Sequence, residues 1–127
     1  MRKIQNIKMF YTQQELLELL NKIKEEDILI IVEGKKDKAA LENFEIKNIK
    51  ILNGKDIWNR CEEIAQNNEE VIILTDFDKK GKELYSKIAK NCEKLGIKVN
   101  KIYREQLQKH TKLSHIEGLK TYMENLE

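Results

Sequence analysis

Three carboxylates stand where two apolar runs give out. Glu33 follows Ile30-Ile31-Val32, and Asp76 and Asp78 follow Val71-Ile72-Ile73-Leu74-Thr75. Two residues apart in extended chain, Asp76 and Asp78 point the same way, with roughly 6–7 Å between their α-carbons. An aspartate after a strand often does no more than cap the next helix. The i, i+2 pair joined by a third carboxylate on a neighbouring strand points further, to a cation. Without one, the three charges should repel and strain the site. Hard oxygen donors with room for water and phosphate oxygens suit Mg²⁺, with Mn²⁺ also admissible. Lysines stand beside them: Lys35 and Lys36 after Glu33, and Lys79, Lys80 and Lys82 after Asp78. Cations in a first helical turn oppose the macrodipole, at typically 0.3–1 kcal/mol each. Lys35, Lys79 and Lys80 are therefore read as phosphate-binding, against the plainer reading of a solvated charged face. Gly34, Gly54 and Gly81 are expected just beyond strands, where the chain turns tightly or a ligand approaches the backbone. His110 is expected in a polar loop and His115 at the start of the last helix, and neither is a catalytic candidate. Neither a Gly-x-x-x-x-Gly-Lys-[Ser/Thr] loop nor a Gly-x-Gly-x-x-Gly turn is present.

The elements that must position these residues follow from periodicity. Runs at 27–32, 48–52, 71–75 and 98–103 read as strands, three of them rich in β-branched residues. Between them lie helical patterns. Residues 55–66 place Ile57, Trp58, Cys61, Ile64 and Ala65 on one face, and residues 80–95 place Leu84, Ile88, Cys92 and Leu95 on one face. Both cysteines thus take packing positions, and two with this spacing make neither a disulfide scaffold nor a zinc site. Strands alternating with helices imply right-handed crossovers and a parallel sheet covered on both faces. The two most apolar runs should be the central strands, which predicts the order 2-1-3-4. Glu33 then faces Asp76 and Asp78 at the carboxyl edge, across the point where strand order reverses.

A helix over about 12–25 is predicted to open on a Thr12…Glu15 capping box. Another over about 114–126 should open on Ser114-His115-Ile116-Glu117. The expected whole is one domain over 1–127 with a core at about 27–103, a three-layer α/β/α fold.

With 24 basic and 22 acidic residues the net charge is +2, which excludes coating nucleic acid by bulk charge and leaves local lysine placement to do it. No apolar run approaches the roughly 20 residues that span a bilayer, and Met1-Arg2-Lys3 leads into no signal sequence. A cytoplasmic protein without membrane association is expected.

Together, Glu33-Gly34-Lys35-Lys36-Asp37 and Asp76-Phe77-Asp78-Lys79-Lys80-Gly81 resemble the two signature motifs of the Toprim domain. That module is shared by topoisomerases, bacterial-type primases, certain nucleases and recombination proteins. The resemblance covers about 27–103. It implies a Rossmann-like fold, Asp76 and Asp78 as the Mg²⁺ pair, and Glu33 as the general acid or base of nucleotidyl transfer. Asp37 matches an acidic position of primases and of the ribosomal-RNA-maturing ribonuclease, a candidate helper. Lys80 stands where topoisomerases tend to carry a third aspartate, so the pattern sits closer to small stand-alone Toprim proteins and to that ribonuclease.

The function expected from these readings is Mg²⁺-dependent action on the phosphodiester bonds of RNA or DNA, foremost as a nuclease. The alternative is a non-catalytic nucleic-acid or nucleotide-binding module that docks on a larger processing partner, or on a second copy of itself. A phosphotransfer fold is disfavoured. Receivers carry the acidic pair after the first strand, and Asp-x-Asp phosphatases carry Thr or Val where Lys80 stands.

Overall fold

Leu29–Val32 is buried along its whole length, as a strand covered on both faces must be. In this computed structural model, which describes residues 10–126, it forms β1. The Met1-Arg2-Lys3 start lies outside the described residues. The sheet is completed by β2 (Ile49–Ile51), β3 (Glu70–Ile73) and β4 (Lys98–Asn100). All neighbours are parallel and the order is β2-β1-β3-β4, as predicted. Ile30 registers with Ile49 on one side and Ile72 on the other, which brings the ends of β1 and β3 side by side.

Among the described residues six helices cover the sheet: α1 (Gln13–Glu26), α2 (Lys35–Glu42), α3 (Ile57–Ala65), α4 (Lys79–Lys94), α5 (Ile102–His110) and α6 (Leu119–Glu124). The alternation of side chains along each strand sorts them into two layers. Ile30, Val32, Ile72 and Leu74 point into a core with α1, α2, α5 and α6. Leu29, Ile31, Val71 and Ile73 point into the other, with α3 and α4. Cys61 and Cys92 meet at the α3–α4 contact as free, fully buried thiols with their sulfurs 3.8 Å apart, in keeping with packing roles. Trp58 departs from its expected core face and is 42% exposed.

The N-terminal helix opens as predicted. Thr12 Oγ1 accepts from the Glu15 amide at 3.1 Å while Glu15 Oε1 accepts from the Thr12 amide at 2.9 Å. Two other expectations are corrected. The strand over 98–103 stops at Asn100, whose side-chain oxygen accepts from the Ile102 amide at 3.1 Å and turns the chain into α5. His110, expected in a loop, ends that helix. The helix over about 114–126 is shorter: a 3₁₀ turn at Ile116–Gly118 leads into α6. The capping box does not form: Ser114 Oγ bonds His115 Nδ1 instead, and the Ile116 amide donates to Asp76 Oδ1. No helix among the described residues is long and apolar enough to cross a membrane.

Candidate metal centre

β3 delivers its acidic pair through a short loop that the rest of the fold holds from three sides. The first hold is α4 itself. Asp78 is its N-cap, its Oδ1 accepting from the Gly81 amide at 2.8 Å, and the fully buried Thr75 donates its hydroxyl to the Gly81 carbonyl at 2.7 Å. Gly81 is thus not a turn beyond a strand but part of the first turn of α4, tight against the loop. An ideal Cβ there would fall 2.0 Å from the Asp76 carbonyl oxygen. The other two glycines of the predicted set lie at the starts of different segments. Gly34 caps α2, and Gly54 has φ +92°.

The second hold is Arg104, which sequence reasoning missed. It comes from α5, is 5% exposed, and lies between the rings of Phe77 and Tyr85 at 4.7 and 4.5 Å. Its guanidinium donates to the carbonyls of Ile73 (3.3 Å), Thr75 (2.7 Å) and Asp76 (3.1 Å). Burial pushes its pKa down to about 10, so it remains a cation at neutral pH beneath the acidic loop.

The third hold is the segment ahead of α6. The Phe77 amide donates to the Ser114 carbonyl at 2.8 Å, and the Ile116 amide donates to Asp76 Oδ1 at 2.8 Å. This lays His115 across the pair, with Nε2 3.2 Å from Asp78 Oδ2. Asp76, Asp78 and His115 each offer a donor atom within 4.8 Å of the others. His115 was set aside on sequence because nothing local marks it. Only the pairing of 114–116 with 76–77 brings it there.

Glu33 follows β1 directly and stands outside that group of three. It lines a cleft of about 190 Å³ with Asn53, Gly54, Lys80, Glu83, Leu84 and Lys87. Lys35 and Lys36 stand exposed in the first turn of α2, and Lys79 and Lys80 in the first turn of α4. Asp37, in the same first turn as Lys35, is 8% exposed and accepts from the Gly34 amide at 3.0 Å.

The expected repulsion among carboxylates falls on Asp37 rather than on Asp78. Burial first, then the charge of Asp76, hold the Asp37 carboxyl above its ordinary range, with Glu117 and Glu33 adding to the effect against the Gly34 hydrogen bond. Asp78 is instead held below the usual carboxylate range, chiefly by the Gly81 amide and then by the His115 charge. A carboxyl whose folded pKa is raised destabilises the fold above that value and ceases to do so below its unfolded one. Asp37→Asn keeps an acceptor for Gly34 and removes the charge. It should stabilise the metal-free protein at neutral pH by up to about 1 kcal/mol, the scale of a modest charge contact. The gain should vanish as the pH falls through the raised Asp37 value, which thermal melts across pH 3–8 will show.

The comparisons with known proteins agree with this arrangement. The model of the Toprim domain matches residues 28–107. A UPF0292 protein of Methanosarcina barkeri is 32% identical over 116 residues, 89% of this chain and 81% of that one. A UPF0292 protein of Methanocaldococcus jannaschii is 35% identical over 116 residues, 87% of this chain and 91% of that one. Among solved structures, a protein from Aquifex aeolicus is 33% identical, with a TM-score of 0.72 over 80% of this chain and 95% of its own. The Aquifex aeolicus primase, solved as its zinc-binding and RNA polymerase domains, is 27% identical with a TM-score of 0.51. There the match covers 71% of this chain and 23% of the primase chain. With the strand order 2-1-3-4 and both motifs at the carboxyl edge, this chain belongs to the Toprim domain family, whose members process nucleic acids and bind divalent metal.

Proposed function

We propose that the protein is a metal-dependent nuclease, acting on phosphodiester bonds at the carboxyl edge of its sheet. The observation that carries this reading is the cleft lined by both Glu33 and Lys80, with β1, which Glu33 follows, paired to the strand that leads into Asp76 and Asp78. Two carboxylates and an imidazole within 4.8 Å form a donor set suited to a divalent cation. Held by these residues, a divalent ion would supply neutralisation of phosphate oxygens and Lewis-acid assistance to the reacting oxygen. The remaining work falls to the chain. Asp76 and Asp78 would hold the ion, while Lys80 and Lys87 draw the phosphate backbone toward the cleft and Lys35 and Lys79 bind flanking phosphates. Glu33 carries a proton to or from the reacting oxygen. Asp37, behind Glu33 and Asp76, adds negative charge that favours a cation in their midst.

The test is incubation with structured RNA and with DNA under Mg²⁺, Mn²⁺ or EDTA, beside an Asp76→Asn control. Cleavage that needs the metal and disappears in the variant is expected. Binding without turnover on every substrate favours the alternative, a non-catalytic module docking on a larger processing partner. The primase match supports that alternative, since this fold there occupies 23% of a longer chain.

Both readings share one consequence. Lysines on phosphates displace counterions, so affinity falls with salt at a slope of about 0.9 per neutralised phosphate on duplex DNA and about 0.7 on single strands. Lys79→Ala with Lys80→Ala should weaken binding for all sequences alike and flatten that slope by roughly 1.5. Filter binding between 50 and 200 mM salt measures it. An unchanged slope would remove these lysines from the phosphate path.

A further inference from the structure

We infer that His115 is a nitrogen ligand of the Asp76–Asp78 site and makes it prefer a first-row transition-metal dication such as Mn²⁺ over Mg²⁺. The inference rests on the reading of Asp76 and Asp78 as metal ligands, and deepens it by naming the third donor and the ion. His115 lies in the C-terminal segment, outside residues 28–107, the stretch that the Toprim model matches. Its placement has a backbone cause: the Phe77 amide to the Ser114 carbonyl on one side, and the Ile116 amide to Asp76 Oδ1 on the other, each 2.8 Å. His115 is the residue between those two anchors.

The ring is oriented as well as delivered. Ser114 Oγ lies 2.9 Å from Nδ1, and Nε2 faces Asp78 Oδ2 at 3.2 Å. A histidine that ligates a metal through one nitrogen commonly has the other held by a hydrogen bond, which sets the tautomer and ring direction. Here the hydroxyl of Ser114 occupies that outer position. The plain alternative is an imidazolium–carboxylate pair with Asp78, which any exposed histidine beside an aspartate can form.

The ion follows from the donors. Mg²⁺ favours oxygen ligands in near-ideal octahedral geometry and keeps its waters, whereas an imidazole nitrogen raises affinity for first-row transition metals. Two carboxylates alone would leave little to choose between Mg²⁺ and Mn²⁺. The added nitrogen shifts the balance toward Mn²⁺.

The test uses the intact protein and Mn²⁺, followed by the loss of its free-ion EPR signal, with Mg²⁺ as competitor. His115→Ala is expected to weaken Mn²⁺ about 10-fold or more, while the Mg²⁺ constant moves by less than roughly threefold. Pulsed EPR of the wild-type complex should show a ¹⁴N coupling from a directly bound nitrogen, absent in His115→Ala. Mn²⁺ bound without that coupling, or both ions weakened equally by His115→Ala, overturns the role of His115 and leaves a carboxylate site standing. Failure of the wild type to bind either ion overturns the metal reading together with it.

Discussion

Gly81→Ala should cost the protein roughly 3 kcal/mol or more and remove any stabilisation by metal. A methyl group at this position would sit 2.0 Å from the Asp76 carbonyl oxygen, 2.5 Å from its carbon and 2.8 Å from its Cα. These are backbone atoms, so no flexible side-chain end can give way. Overpacking typically costs about 1–3 kcal/mol when the surroundings relax. Here relaxation would have to break the Thr75 bond to the Gly81 carbonyl, the Asp78 cap, or the three carbonyl bonds of Arg104. Helix propensity argues the other way, since Ala in a helix is better than Gly by up to about 1 kcal/mol. The sign of the change is therefore diagnostic. Gly118→Ala is the matched control, because a Cβ there meets nothing within 4 Å. Thermal melts with and without Mn²⁺ decide the matter. A Gly81→Ala protein that melts with the wild type would show that α4 does not press on the aspartate loop as described.

That close approach also shows which parts of the site could be read from the sequence and which could not. The strand order was legible because Ile30-Ile31-Val32 and Val71-Ile72-Ile73 are apolar without alternation, and only strands buried on both faces tolerate that. Strand order in turn placed Glu33 beside the Asp76–Asp78 loop. What sequence could not show is how donors from elsewhere reach the loop. His115 and Arg104 enter from the C-terminal third, where local signals pointed to other structures. Ser114-His115-Ile116-Glu117 has the form of a capping box, yet Asp76 took the Ile116 amide and Ser114 turned to the imidazole. Periodicity in 102–110 was available, since Tyr103, Arg104 and Leu107 are all buried on one side of α5. The apolar start of that stretch was absorbed into a strand that stops at Asn100.

Arg104 illustrates why such a residue hides. A charged side chain is ordinarily read as solvated, and burying it without a carboxylate is costly unless its donors are satisfied. Three carbonyls and two aromatic faces satisfy them here, none of which announces itself in the chain as an arginine site. The result is a cation fixed directly beneath the loop, where it ties the carbonyls of Ile73, Thr75 and Asp76 to α5. The loop's shape thus depends on α5 below, α4 beside and the 114–116 segment above.

Glu33→Gln should reduce turnover by about 10²–10⁴-fold, the usual cost of losing a positioned acid or base, while leaving metal and nucleic-acid binding close to wild type. The second half of that expectation comes from geometry. Glu33 stands outside the group formed by Asp76, Asp78 and His115, and instead lines the cleft with Lys80 and Lys87. A residue in that position touches the reacting phosphate more readily than the ion. Asp76→Asn should behave differently, losing turnover and the metal-induced rise in melting temperature together. For the wild type that rise corresponds to about 2.7 kcal/mol at an ion concentration 100 times its Kd. Comparing the two variants separates the roles: melts with Mn²⁺ report ion binding, and single-turnover cleavage reports chemistry. If Glu33→Gln loses the metal-induced rise as fully as Asp76→Asn does, Glu33 is a ligand and closes onto the ion when it binds. If it keeps both the rise and full cleavage, Glu33 has no part in the reaction, and proton transfer must be sought elsewhere in the cleft.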